Sequence, residues 1–123
     1  MKLIILGTLP GLNEYIDAER TSKYKAAAMK KQCEHLIIHE AKRQLKKLNP
    51  PVIMRYFWYE KDRRRDKDNI TFGRKLIQDG IVKAGILPND GWGEIAEFTD
   101  TFAVDKLRPR VEVIFEEVEK CAR

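Results

Sequence analysis

The residues of this chain best suited to chemistry lie in one short run, Arg63-Arg64-Arg65-Asp66-Lys67-Asp68-Asn69. Alternate residues of an extended segment point the same way, so Asp66 and Asp68 can converge on one point while Lys67 turns aside. Hard carboxylate oxygens in that arrangement suit Mg²⁺, with Mn²⁺ as an alternative, because such ions keep several waters and leave room for a phosphate. Carboxylates and phosphates repel each other unless a cation stands between them, and three arginines directly before the aspartates supply further positive charge for a phosphodiester backbone. The competing reading is a solvated loop in which Asp68 or Asn69 caps the following helix. An EF-hand is excluded: with Asp66 as the first loop position, Thr71 falls where the glycine belongs and Ile77 where the bidentate glutamate belongs.

A third ligand must come from elsewhere. Asp90, in the turn Asn89-Asp90-Gly91, leads, with Glu94 and Glu97 as weaker alternatives; Asn-Asp-Gly is also ordinary turn chemistry. On the helix expected after Asn69, Asp68, Phe72, Lys75 and Asp79 share the face opposite the apolar stripe. Lys75 therefore points the same way as Asp68, though about two turns, roughly 10 Å, further along. A plain surface pair between Lys75 and Asp79 fits equally well. Arg20, Lys23, Lys25, Lys30 and Lys31 cluster near the start of an earlier helix and could follow a DNA backbone or merely aid solubility. His35 and His39 have the spacing of a helical metal pair but fall opposite that helix's apolar stripe, beside Lys42 and Lys46, and read as a solvated face.

The elements that must position these groups follow from hydrophobic periodicity. Lys2 to Leu6 reads as a strand closed by the turn signals Pro10-Gly11-Leu12-Asn13. From Ser22, apolar residues recur every three or four positions, at Met29, Cys33, Ile37, Ala41, Leu45 and Leu48, until Asn49-Pro50-Pro51 ends the helix. Val52 to Tyr59 is a buried strand. A second helix from about Asn69 carries Ile70, Gly73, Ile77, Ile81 and Ala84 on one face and ends at Lys83, with Gly85 as the left-handed residue and Pro88 beyond. Ile95 to Val104 and Arg110 to Val118 read as two further strands, paired antiparallel. The expectation is an α/β (α+β) fold of order β-α-β-α-β-β: one small mixed sheet of about four strands with two helices packed on it.

With 123 residues, residues 1–123 are read as a single domain. The net charge of +5, from 24 basic and 19 acidic residues, permits a polyanionic partner without requiring one. Cys33 and Cys121 form no framework and read as inert thiols. The short apolar run at Leu3 to Leu6 cannot serve as a signal or a membrane span, so a cytoplasmic protein without a membrane partner is expected. No phosphate-cradling glycine loop, nucleophile elbow or Cys/His nucleophile pair is present, which leaves nucleotide cofactors and acyl transfer unsupported.

The run Arg63 to Asn69 followed by Asp79-Gly80-Ile81-Val82-Lys83-Ala84-Gly85-Ile86-Leu87-Pro88-Asn89-Asp90 resembles the RusA family of Holliday junction resolvases, common in bacterial prophages. The shared form is a basic stretch, D-x-D-N, a helix ending in K-A-G, and a further aspartate; Leu9-Pro10, Asn13 and the strand order extend the likeness over most of the chain. The resemblance implies a homodimeric endonuclease that cuts four-way DNA junctions with Mg²⁺ or Mn²⁺, with Asp66, Asp68 and Asp90 as metal-binding catalytic residues. On charge, Arg63, Arg64, Arg65, Lys67 and Asn69, with Arg20, Lys23 and Lys25, are expected to lie along the DNA. The family's lysine follows the second aspartate by four residues, where this chain has Phe72; counted back from Asp79 and Lys83-Ala84-Gly85, it falls on Lys75. The alternatives are a phage DNA-binding protein that does not cut, and a nuclease of broader branched-DNA specificity.

Overall fold

A computed structural model describes residues 1–118, so Cys121 lies outside the described residues. The strands β1 (Lys2–Leu6), β2 (Val52–Glu60), β3 (Ile95–Val104) and β4 (Arg110–Glu117) form one mixed sheet in the order β1-β4-β2-β3. Around it lie α1 (Leu12–Thr21), α2 (Lys23–Gln44), α3 (Lys67–Ile70) and α4 (Gly73–Lys83). The fold is α+β, with helices on one side of an open four-stranded sheet.

The sheet is one-sided because β2 alternates strictly: Val52, Met54, Tyr56, Trp58 and Glu60 are buried, and the residues between them are only partly so. Val111, Val113 and Phe115 of β4 and Leu3 and Ile5 of β1 continue the inner face. Against it pack Cys33, Ile37 and Ala41 from α2 and Leu76, Ile77 and Ile81 from α4. Burial pushes the Cys33 thiol up to about 11, which keeps it protonated and unreactive at neutral pH. No described helix is long and apolar enough to cross a membrane.

Four expectations need correction. The segment expected as a turn at Leu12-Asn13 begins a helix, because Glu14 reaches back to accept from the Gly11 N–H at 3.4 Å and α1 buries Ala18 against α2. The long helix begins as expected, with the Ser22 hydroxyl accepting from the Tyr24 and Lys25 N–H groups, but it ends at Gln44; Leu45 and Leu48 stay buried in an extended segment. The second helix is two helices separated at Thr71-Phe72, where Phe72 stacks on Tyr15 of α1 at 5.2 Å. Finally, β3 and β4 do not pair with each other. They flank β2, with β3 parallel to it and β4 antiparallel. The helices between β2 and β3 make a crossover connection, which permits parallel pairing, and the apolar β4 takes the central position between β1 and β2.

Gly85 has φ +79°, the left-handed end that the sequence predicts for α4. Gly80 has a different reason to be glycine: a Cβ there would run into the Ile37 side chain of α2. In an exposed helix Gly to Ala stabilises by about 1 kcal/mol, whereas Gly80→Ala is expected to destabilise by about 1–3 kcal/mol through overpacking. Urea unfolding checks this: a midpoint equal to or above the parent's would show that α2 and α4 separate without cost.

Candidate active site

The end of β2 fixes the neighbourhood of the aspartates. Glu60 is the last inward-facing residue of the strand and is 8% exposed, so its charge needs a partner there. Arg65 provides a bidentate one, with Nε at 2.9 Å and Nη2 at 3.0 Å. Its Nη1 donates to the Leu9 carbonyl at 3.0 Å and lies 3.5 Å from Glu14. Asn69 adds a second tie, its Oδ1 accepting from the Asn13 N–H at 2.8 Å. Arg65 and Asn69, both expected along DNA, are thus engaged in joining the β2–α3 connection to the start of α1.

Asp66 occupies the N-cap position of α3 in extended conformation without capping through its side chain, and Asp68 already lies in the first turn. The alternation expected of an extended run therefore does not apply; a helix start carries the two residues instead. Both nevertheless line one recess of about 630 Å³, with Arg63 and Lys67 beside them and Phe102 and Val104 of β3 on its far wall. Lys67 sits over the Phe102 ring, 5.3 Å from its centre. Among the described residues neither carboxylate has a hydrogen-bond or ion-pair partner, nor does Arg63, whereas Glu60 is held by Arg65 and Asp62 by Arg64.

Asp90 lies elsewhere. It lines a second recess of about 310 Å³ with Gln78, Trp92, Ile95 and Phe98, and its carboxylate also has no partner among the described residues. Phe98 and Phe102 mark the two recesses on the same face of β3, four residues and so about 13 Å apart. Between them Asp100 pairs with Arg74, accepts from the Trp58 indole N–H at 2.8 Å, and holds the guanidinium over Phe98 at 4.5 Å. The recesses are two ends of one furrow along the edge strand, divided by this pair. Among the described residues no group of three His, Cys, Asp or Glu side chains could hold a metal ion. The oxygen-only pair Asp66 and Asp68 does fit Mg²⁺, which is commonly held by one or two carboxylates plus substrate phosphates and water.

Lys75 is exposed and pairs with Asp79 at 3.1 Å. Asp79 first, and then the charge of Asp90, raise its pKa above the ordinary lysine value. Phe72, at the position of the family's lysine, is occupied with packing on Tyr15, whose ring also carries Lys30 at 5.1 Å. Arg20, Lys23 and Lys25 are exposed near the far end of α1, about 15 Å from Gly11 by helical rise. His35 and His39 are exposed, as expected. Arg74, Asp100 and Trp58 were not expected at the site. The signal that could have found them is Trp58 itself, since an inward tryptophan needs an acceptor. In comparisons with known proteins, no family model matches the chain and no curated protein matches it.

Removing Arg65 would leave Glu60 buried and unpaired and free the Leu9 carbonyl. Arg65→Ala is expected to cost on the order of 2 kcal/mol or more. The double variant Arg65→Ala with Glu60→Gln should recover part of it. Denaturant curves for the three proteins check this, and equal stability of parent and single variant would show that the tie does not hold the loop.

Proposed function

We propose that this chain is a metal-dependent endodeoxyribonuclease that resolves four-way DNA junctions by paired phosphodiester hydrolysis, working as a homodimer. The observation that carries the reading is the pair of unpartnered carboxylates, Asp66 and Asp68, in a recess with Arg63 and Lys67 while the acids around them are neutralised. Mg²⁺ or Mn²⁺ held by Asp66 and Asp68 would supply charge neutralisation and a water of lowered pKa. Arg63 and Lys67 bring the phosphate backbone to the recess, and Arg65 keeps the Asp66 loop in place by its grip on Glu60. Lys75, kept protonated beside Asp79 and Asp90, offers positive charge to the oxyanion that develops on phosphorus. The RusA-like motif supports the narrower choice of a junction; its approximate twofold axis suits a C₂ dimer that presents two sites to opposing strands.

One observation favours a second reading, a DNA-binding protein that does not cut: Asp90 lies in a different recess from Asp66 and Asp68. Incubation with a synthetic four-way junction, a flap and a linear duplex in Mg²⁺ or Mn²⁺ separates them. Paired nicks in the junction are expected, and Asp68→Asn should lower their rate by a factor on the order of 10² or more, the several kcal/mol a metal's charge contributes. Junction binding without cutting in either ion would establish the second reading, and equal cutting of all three substrates a broader nuclease.

Lys75→Ala tests the other end of the furrow. Its exposed pair with Asp79 contributes little stability, so the variant should fold normally and bind the junction with nearly parental affinity. Single-turnover cleavage should slow on the order of 10²-fold. An unchanged rate would return Lys75 to a surface role.

A further inference from the structure

Trp92 is fully exposed, although tryptophan is among the residues that gain most from burial. It is not on a loose loop. The Glu94 N–H donates to the Gly91 carbonyl at 3.2 Å and the Ile95 N–H donates to the same oxygen at 3.0 Å, while the Gly91 N–H donates to Glu94 Oε1 at 3.0 Å. The Glu94 carbonyl in turn accepts from the Val52 N–H at 2.8 Å, which fastens the turn to β2. Glycines on both sides of Trp92 leave the ring unscreened, and it borders the recess that contains Asp90, Gln78 and the half-exposed Phe98. The turn therefore presents an exposed aromatic face to solvent two residues from an uncommitted carboxylate.

We infer that Trp92 is a stacking platform for a nucleobase unpaired from its strand, such as one at the crossover of a branched DNA. The inference rests on the DNA-cleaving reading for the choice of ligand. An aromatic face is the feature that single-stranded DNA recognition uses, because every base has a π-face and stacking needs no sequence readout. A protein partner is less well matched: the apolar surface at Trp92 is interrupted by Asp90, Gln78 and Glu97, whereas an interface core needs continuous apolar surface depleted of charge. The nearby carboxylates repel phosphates, so the strand would place a base on Trp92 and its backbone toward Lys75 and Arg74 in the furrow.

The second tryptophan makes the stacking measurable. Trp58 is buried and bonded to Asp100, so a ligand-induced change in emission reports chiefly on Trp92. The full chain is titrated, in EDTA to prevent cutting, with a four-way junction, a single-stranded oligonucleotide and a linear duplex; emission and mobility shift are both read, for the parent, Trp92→Phe and Trp92→Ala. Quenching by the junction and the single strand is expected, with little by the duplex. Trp92→Ala should bind the junction at least about fivefold more weakly, the low end of what losing one base stack costs, and Trp92→Phe should stay close to the parent. Junction binding with no quenching and an unchanged affinity in Trp92→Ala would overturn the inference and leave the nuclease reading intact. Quenching by single strand from a protein that cuts nothing in Mg²⁺ or Mn²⁺ would keep the platform and overturn the nuclease. An emission shift that follows protein concentration without DNA would assign Trp92 to an interface between copies and overturn the inference.

Discussion

The ion pair between Glu60 and Arg65 is the constraint on which the site depends. β2 ends with an inward-facing carboxylate, and a buried charge is tolerated only when paired and hydrogen-bonded. Arg65 meets that demand with two parallel hydrogen bonds and commits a third nitrogen to Leu9, so the chain after β2 cannot leave the sheet freely. Asp66 is the next residue, and its place follows. Arg65 also lines the recess, but its charge is committed to Glu60, and Arg63 and Lys67 add positive charge beside the aspartates. A run of three arginines looks uniform in sequence, yet the three have different surroundings. Arg63 is without a partner among the described residues, Arg64 lies by Asp62, and Arg65 is part of the framework.

The second constraint is the exposure of β3. The crossover through α3 and α4 returns the chain parallel to β2 at the edge of the sheet. There its inner residues Phe98, Asp100 and Phe102 look past the helical layer instead of under it. Phe98 borders one recess, Phe102 the other, and Asp100 lies between them. Arg74 reaches into the furrow because Asp100, already accepting from Trp58, still has an oxygen to share. The furrow is therefore tied to the core through Trp58 and to α4 through Arg74.

What the sequence made legible was local. The stripe of α2 with its Ser22 cap, the glycine end of α4 and the strand character of β2 each depend on neighbours within a few residues, and periodicity or propensity reports them. The missed features depend on distant partners. Helix α1 starts at Leu12 where Asn69, 56 residues away in sequence, accepts from Asn13. The break at Phe72 is stabilised by Tyr15, and β4, late in the sequence, lies between β1 from its start and β2 from its middle. The site divides in the same way. Asp66 and Asp68 line one recess at the start of α3, and Asp90 lines another beside β3.

That separation has a chemical consequence. Ligand oxygens of one Mg²⁺ lie about 2.0–2.1 Å from the ion and so within roughly 4 Å of each other. Two carboxylates of one recess can meet that limit; Asp66 and Asp68 line one recess and Asp90 lines the other, with the Arg74–Asp100 pair on the strand between them. Asp79, and to a lesser extent Asp90, raise the Lys75 pKa. If the proposed nuclease reading holds, a phosphate would offer Arg74 a bidentate partner in competition with Asp100. On the proposed nuclease reading, Arg74, between the carboxylates and the lysine, would be the group best placed to align a strand that spans both recesses.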